Sequence, residues 1–347
     1  MKRYHQALVK EIELFAKSHT GKEPLKTIFF GGGTPSTYPD ELILDMFAIL
    51  KRSFVINQDT EVSIEVNPGT VRIEQLTLWQ QIGINRLSIG VQSLNDKVLK
   101  NLNRHQSAQD VAFVLEKAQS SIENVSVDLI IGLPGIAEAE WKDLLSQVVT
   151  WPIKHVSVYF LTVHEGTALF YRVKKNDVVI PPDESVVDLY IWTVNFLKEH
   201  GFEQYEISNF ARDGHYARHN QVYWARTPYK AFGVGACSFD GSRRYQNNKN
   251  LVHYLEGMEQ KGNADDFVEE LSEGQVYLET LMLGLRQAQG IKLSTILEQN
   301  DGVSTEKVEK DIEEMEEAGY LRRMGDTIRL TPLGLAVENE LVVKLSQ

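Results

Sequence analysis

The sequence predicts an α/β protein with parallel strands, followed by a mostly helical, winged-helix-like C-terminal domain. Short apolar runs rich in β-branched residues recur in the first half of the chain, and each stops at small or turn-forming residues. These runs span 27–30, 61–66, 86–89, 126–131 and 156–161. Segments with the three- and four-residue apolar spacing of amphipathic helices lie between them, at 41–52, 74–81, 108–120 and 138–149. Strands that alternate with helices in this way pair in parallel, because each helix forms the crossover connection.

The carboxyl ends of the predicted strands carry glycine-rich or polar clusters. The clusters lie at 31–35, 65–68, 90–93 and 132–135. Parallel strands form either an open sheet or a barrel, and in both architectures ligands bind beyond the carboxyl ends of the strands. Because all four clusters converge on that face, the pattern favours a barrel-type active site.

The second half of the chain changes character twice. A helix is predicted over 184–200 and a sixth strand over 204–210, followed by a polar and aromatic connecting stretch to about residue 261. Helices are then predicted at 271–287, 294–299 and 304–318, before a small hairpin around Gly325 and Asp326. The predicted units are a barrel over 1–215, a connecting segment over 216–262 and a winged-helix-like domain over 263–347.

Composition and charge exclude several classes of function. The 347 residues contain 36 Lys and Arg against 48 Asp and Glu, for a net charge of −12, which disfavours nucleic acid as the main partner. The predicted 304–318 helix is itself acidic, so it is expected to pack against protein. Cys237 is the one cysteine, which excludes a disulfide within the chain and an iron–sulfur cluster held by three of its own thiolates. Without an apolar signal sequence at 1–16 or a long apolar run, we expect a soluble, cytoplasmic protein.

Two features of the strand ends point to ligand binding, and each has a structural alternative. Glu65 and Asp128 lie in or near apolar strands, where an unpaired carboxylate is costly to bury, so they bind a ligand or pair with Arg86 or Arg104. The glycines at 31–33 either present backbone N–H groups to a polar ligand or form a tight turn. They lack the residues of a P-loop and the spacing of a dinucleotide fingerprint.

Several motifs together resemble a known family. They are Gly-Gly-Gly-Thr-Pro at 31–35, Ser-Ile-Glu-Val-Asn-Pro at 63–68, Arg-Leu-Ser-Ile-Gly-Val-Gln-Ser at 86–93, Leu-Asn-Arg-His at 102–105, Asp-Leu-Ile-Ile-Gly-Leu-Pro at 128–134 and Tyr-Glu-Ile-Ser-Asn-Phe at 205–210. In this order they resemble radical S-adenosylmethionine (SAM) proteins related to oxygen-independent coproporphyrinogen III dehydrogenase. The stretch His-Asn-Gln-Val-Tyr-Trp at 219–224 is similar to the His-Asn-x-x-Tyr-Trp motif of the haem chaperone (HemW) branch. The resemblance covers nearly the whole chain.

The resemblance implies a partial (β/α)₆ barrel of the radical SAM type, without its first strand, that holds SAM at the strand ends. The implied SAM-binding residues are Gly32, Gly33, Thr34, Glu65, Gln92, Arg104, Asp128 and Thr162. Members of the family also carry a Cys-x-x-x-Cys-x-x-Cys loop that holds a [4Fe–4S] cluster. In the family this loop is N-terminal to the segment that residues 4–11 of this chain resemble. This chain has no such cysteines, so it is not expected to form the 5′-deoxyadenosyl radical by itself. Truncation of an ordinary family member is favoured over a cluster-free relative that only binds ligands.

The resemblance also implies a haem site in the connecting segment. His219 is the candidate ligand of the haem iron, beside Asn220, and Tyr223 and Trp224 would pack against the porphyrin. The alternative is an interface histidine beside a pair of core aromatic residues. His215 precedes His219 by four residues, which on a helix would place both imidazoles on one side as two ligands. Cys237 is predicted to be a buried, inert thiol.

The sequence supports three hypotheses, each for a different class of function. The main hypothesis is a haem chaperone that binds haem and SAM and delivers haem to client haemoproteins; peripheral membrane association and a homodimer are compatible with it. The second is an enzyme, oxygen-independent coproporphyrinogen III dehydrogenase, which decarboxylates two propionates to vinyl groups. The third is an interaction module that binds neither ligand.

Overall fold

The computed structural model describes residues 1–19, 21–299 and 304–346. Seven strands of this part form one sheet in the order β1-β2-β3-β4-β5-β7-β6, in which β6 is Glu203–Gln204 and β7 is Asn209–Ala211. The first five pair in parallel, and each coincides with one of the predicted apolar runs: β1 (Thr27–Phe30), β2 (Glu61–Val66), β3 (Arg86–Gln92), β4 (Asn124–Ile131) and β5 (His155–Phe160). The predicted α/β barrel core is confirmed.

Helices connect these strands and cover the outside of the sheet. They are α1 (Lys2–Ser18), α2 (Asp40–Ser53), α3 (Ile73–Ile82), α4 (Asp96–Asn101), α5 (Ala108–Gln119), α6 (Glu138–Val148), α7 (Ala168–Lys174) and α8 (Asp183–Glu199). The apolar faces of α2, α3, α5, α6 and α8 pack on the outward side chains of the strands, and the tryptophans Trp79 and Trp141 are fully buried there. Burial of these faces is the main stabilising contribution to the barrel.

The prediction of a single sixth strand over 204–210 is wrong. This stretch forms two short strands, β6 (Glu203–Gln204) and β7 (Asn209–Ala211), and β7 pairs antiparallel with β5. The residues between them leave the sheet because they bond to the C-terminal unit. Ile207 N–H donates to the Arg286 carbonyl at 2.9 Å, and Ala288 N–H donates to the Tyr205 carbonyl at 3.0 Å.

The connecting segment folds into helices and a small sheet. It contains α9 (Arg218–Trp224), β8 (Cys237–Phe239), β9 (Arg243–Asn247) and α10 (Leu251–Gln260), and α10 packs on α1. The next strand, β10 (Asp265–Glu270), pairs antiparallel with β9. Because this sheet crosses residue 262, we propose that the C-terminal unit begins after β10 rather than at residue 263.

The C-terminal unit consists of helices around a small sheet. Its elements are α11 (Glu273–Leu285), β11 (Ile291–Lys292), α12 (Leu293–Gln299), α13 (Thr305–Glu317), β12 (Leu321–Met324), β13 (Thr327–Leu330), α14 (Pro332–Ala336) and α15 (Glu338–Leu345). The predicted hairpin is β12 and β13, and Gly325 in its turn adopts a φ of 63°. Residues 300–303 and 347 of the predicted domain lie outside the described part. Among the helices that the structure describes, none has the length and apolar character needed to cross a membrane.

Candidate functional site

Alternation along the parallel strands creates a polar cavity inside the barrel. In β2, Val62 and Ile64 face outward into the apolar core, whereas Glu61, Ser63 and Glu65 line the cavity. The same period of two directs polar residues inward from the next three strands: Arg86, Ser88, Gln92, Ser126, Asp128, His155 and Ser157. The cavity has a volume of about 530 Å³, within the usual range of ligand sites.

The glycine-rich loop after β1 borders this cavity. Gly32 and Gly33 have φ values of 76° and 52°, which L-residues rarely adopt, and a Cβ at either position would meet no atom within 4 Å. The Gly32 N–H donates to Glu65 Oε2 at 3.1 Å. Burial raises the pKa of Glu65, and the nearby charge of Asp128 raises it further. The loop therefore leaves open space beside a carboxylate that burial has made more basic.

Asp128 has an oxygen without a partner. Its Oδ2 accepts a hydrogen bond from Ser88 Oγ at 2.9 Å, while its buried Oδ1 has none. Burial raises the pKa of Asp128, against smaller opposing effects of the Ser157 and Ser88 hydroxyls and of the Arg86 charge. The alternative that Glu65 or Asp128 forms an ion pair with Arg86 or Arg104 is wrong for the part of the chain that the structure describes. Arg86 instead donates to Asn124 Oδ1 at 2.9 Å and to the His215 carbonyl at 3.3 Å.

The remaining residues predicted to bind SAM lie at the cavity mouth. Gln92 has a φ of 63° beside an irregularity in the pairing of β3 with β4, and its Nε2 lies over Gly90. Thr34, Arg104 and Thr162 line the same cavity and are exposed. Of the eight predicted residues, seven line one cavity, and Gly32 joins them through its bond to Glu65.

His219 lies in the wall of the same cavity. Its Nδ1 is 2.8 Å from Thr27 Oγ1, its Nε2 is 2.8 Å from Tyr223 Oη, and its ring stacks on Phe29 with centroids 4.8 Å apart. Burial lowers the pKa of His219, against a smaller opposing effect of Glu61. The imidazole is therefore neutral at neutral pH, which is the form that binds a metal.

A buried carboxylate holds the helix that carries His219. Helix α9 has Ala217 at its N-cap position, without a side-chain cap. Glu61 from β2 takes that place: its Oε1 accepts from His219 N–H at 3.0 Å and its Oε2 from Arg218 N–H at 3.1 Å. Negative charge is favourable at a helix N-terminus, so Glu61 fixes where the imidazole stands.

The other predicted haem residues separate into two groups. Asn220 lines the cavity, and Tyr223 contacts His219 edge to face with centroids 5.0 Å apart. Trp224 does not line the cavity. Its ring lies under the Arg286 guanidinium at 4.5 Å, and its carbonyl accepts from Gln287 Nε2 at 3.4 Å. Trp224 therefore contacts the C-terminal unit.

Two further predictions about this segment are wrong. His215 precedes α9 and does not line the cavity, because its Nδ1 donates to the Arg212 carbonyl at 3.0 Å in the preceding turn. It is therefore not on the same helix face as His219. Cys237 is exposed rather than buried, since it begins the short edge strand β8.

The apolar runs that predict the strands did not identify several cavity residues. Glu61, His155 and Tyr159 line the cavity, and the alternation along β2 and β5 is the signal that could have found them. Burial lowers the pKa of His155 well below its ordinary value, and its ring nitrogens lie 2.7 Å from Ser126 Oγ and 2.8 Å from Tyr205 Oη. The described residues contain no cluster of three or more His, Cys, Asp or Glu side chains suited to a metal.

Comparisons with known proteins agree with this architecture. Residues 2–148 match the Radical SAM superfamily and residues 271–337 match the HemN C-terminal domain. The chain is 36% identical to the Heme chaperone HemW of Synechocystis sp., over 83% of this chain and 70% of that protein. It is 31% identical to the Heme chaperone HemW of Bacillus subtilis, over 97% and 89%. The structure of coproporphyrinogen III oxidase (HemN) from Escherichia coli is similar at a TM-score of 0.81 and 22% identity, over 100% and 83% of the two chains, which shows the fold alone. The chain belongs to the HemW family of the radical SAM superfamily.

Proposed function

We propose that this protein binds haem and SAM in the barrel cavity and delivers haem to client haemoproteins. One observation carries the proposal: His219 and Asn220 line the same cavity as Glu65, Gln92 and Asp128. The names of the HemW relatives support the haem part, and the match to the Radical SAM superfamily supports the SAM part. A cytoplasmic location is part of the proposal, and cell fractionation tests it.

The residues around His219 fit a haem iron. A neutral imidazole donates its lone pair to the metal, and a hydrogen bond at the second ring nitrogen fixes the orientation of the ring. Thr27 Oγ1 at Nδ1 provides that second contact. Nε2 faces the Tyr223 hydroxyl, which has to give way when a metal takes this nitrogen. Haem would be the molecule that the protein delivers to its clients.

The residues at the strand ends fit a ligand that carries positive charge. SAM combines a sulfonium and an ammonium group with one carboxylate. Glu65 and the unpartnered Asp128 Oδ1 suit the cationic groups, Arg104 suits the carboxylate, and the open space beside Gly33 admits the ligand close to the backbone. The [4Fe–4S] cluster of the superfamily does not fit this chain, because Cys237 is its one cysteine. The proposal therefore contains no radical step.

A haem titration followed by Soret absorbance tests the proposal. Saturable binding is expected for the wild type, with affinity at least about tenfold weaker in His219→Ala. His215→Ala is the matched control, since that imidazole lies outside the cavity, and it should bind like the wild type. Equal affinity in all three proteins, or no binding at all, would contradict the haem site.

Two further measurements address SAM and delivery. Calorimetric titration should show SAM binding that Glu65→Gln weakens, because the variant lacks the carboxylate charge at the loop. A haem-free client haemoprotein should acquire haem at a higher rate from the haem-loaded protein than from a solution of free haem. Conversion of coproporphyrinogen III by the protein would instead support the dehydrogenase hypothesis.

A further inference from the structure

We propose that a cationic rim at the cavity mouth binds the carboxylate groups of a tetrapyrrole, as the propionates of haem. The proposal rests on the proposed function and extends it to cationic residues beside the SAM site, with Arg104 shared between the rim and that site. The rim is defined by six side chains from α4, the loop that follows it, and the end of α7: Lys97, Lys100, Arg104, Arg172, Lys174 and Lys175.

Hydrogen bonds to backbone carbonyls bring the two segments of the rim together. The Arg172 guanidinium donates through Nη1 to the Asn101 carbonyl at 2.9 Å, which joins α7 to the end of α4. The Arg104 N–H donates to the Leu99 carbonyl at 2.9 Å, so the loop folds back onto the same end of α4. Arg104 lines the cavity, as does Thr162 in the loop that leads to α7. Arg104 therefore connects the rim to the cavity wall.

The rim cations have no carboxylate partner. Among the residues with described positions, no Asp or Glu oxygen lies within 4.0 Å of a side-chain nitrogen of these six residues, although such pairs occur elsewhere, as between Arg226 and Glu279. Segments 96–105 and 162–178 hold these six cations and three acidic residues, in a chain whose net charge is −12. On an otherwise acidic protein, such a patch concentrates anions at this one opening.

The chemistry of the rim favours a tetrapyrrole over a simple ion. Two propionates on one edge of a macrocycle need separated cations, and arginine binds a carboxylate through two parallel N–H bonds. Helix α7 has no buried residue, and Tyr171 on it is 53% exposed beside Phe170. The rim thus offers cations next to exposed aromatic surface on α7.

The test varies the ligand and the protein together. The ligands are haem and haem dimethyl ester, which lacks the two negative charges. The rim variant is the triple substitution Lys100→Gln, Arg172→Gln, Lys175→Gln. The double substitution Lys100→Gln, Lys175→Gln keeps the bond between Arg172 and Asn101 and guards against loosening of α7. The control replaces three exposed lysines without carboxylate partners in the described structure: Lys22, Lys198 and Lys261.

The wild type is expected to bind haem at least about tenfold more tightly than the ester. Both rim variants should lose haem affinity and keep their affinity for the ester, and the control should bind both ligands like the wild type. Equal wild-type affinity for haem and ester would overturn the rim alone, whereas binding of neither would overturn the proposed function and the rim with it. In a further experiment, the proteins are sedimented with phosphatidylglycerol vesicles. If the wild type sediments with the vesicles, the rim variants do not, and the haem affinity of the variants is unchanged, the rim binds an anionic surface and the proposal is refuted.

Discussion

Replacing Glu61 by glutamine should destabilise the helix that carries the candidate haem motif. The Glu61 side chain is only 5% exposed and accepts the N–H groups of Arg218 and His219 at 3.1 and 3.0 Å. Glutamine keeps the size of the side chain but removes the charge. It also turns one acceptor into an NH₂ group that faces a backbone N–H.

The magnitude follows from those two bonds. A hydrogen bond to a charged group contributes about 1.5–3 kcal/mol, and one of the two is lost in Glu61→Gln. The remaining hydrogen bond is weaker because its acceptor is no longer charged. The favourable interaction of the carboxylate with the helix N-terminus, which contributes about 0.3–1 kcal/mol, is lost as well. Relief from burying a charge offsets part of this loss, so we expect the free energy of unfolding to fall by about 2 kcal/mol.

Two measurements check the prediction. Urea unfolding gives the stability change, and hydrogen exchange with mass spectrometry reports whether the amides of α9 open faster than in the wild type. Glu259→Gln, which removes an exposed partner of Arg3, is the control and should change neither measurement. If α9 exchanges at the wild-type rate in Glu61→Gln, Glu61 does not hold this helix and the reasoning fails.

Three other substitutions test separate parts of the structure. Gln92→Gly should leave stability unchanged or raise it by up to about 1 kcal/mol, because the φ of 63° is strained for glutamine; a clear loss in urea unfolding would contradict this. Because burial lowers the pKa of His155, the unfolded chain binds a proton below about pH 6.5 that the folded chain does not, so stability falls as the pH drops through that value. The contribution is at most about 1.4 kcal/mol per pH unit, and the difference between wild type and His155→Gln in urea at pH 7.5, 6.5 and 5.5 should reveal it. Arg286→Ala should cost about 3 kcal/mol, because it leaves Glu206 buried without a cation and uncovers Trp224; unchanged urea unfolding and tryptophan fluorescence would refute that.

Local periodicity was sufficient to predict most of the barrel. The five parallel strands and the helices between them follow apolar patterns that each segment carries in its own residues. The glycines at 32 and 33 adopt positive φ, as their residue type favours. Because parallel strands share one carboxyl edge, the positions of Glu65, Gln92 and Asp128 along the chain were also sufficient to predict that they meet.

Contacts between distant segments were not predictable in this way. The stretch after Gln204 carries a strand pattern, yet it leaves the sheet because Tyr205 and Ile207 bond to the C-terminal unit. His215 lies four residues before His219, which suggests one helix face, but α9 begins only at Arg218. In the first case a tertiary partner decided the local conformation, and in the second the turn between Arg212 and His215 did.

By itself, the amino-acid sequence determined the α/β class, the parallel direction of the first strands and the face on which ligand-binding residues gather, because these depend on spacing along the chain. Only the tertiary structure decided that Glu61 caps α9, that Trp224 packs under Arg286, and that the residues at 219–220 share a cavity with the strand-end carboxylates. These pairs are separated by tens to hundreds of residues. Their contacts depend on how whole elements pack, and no local pattern encodes that packing.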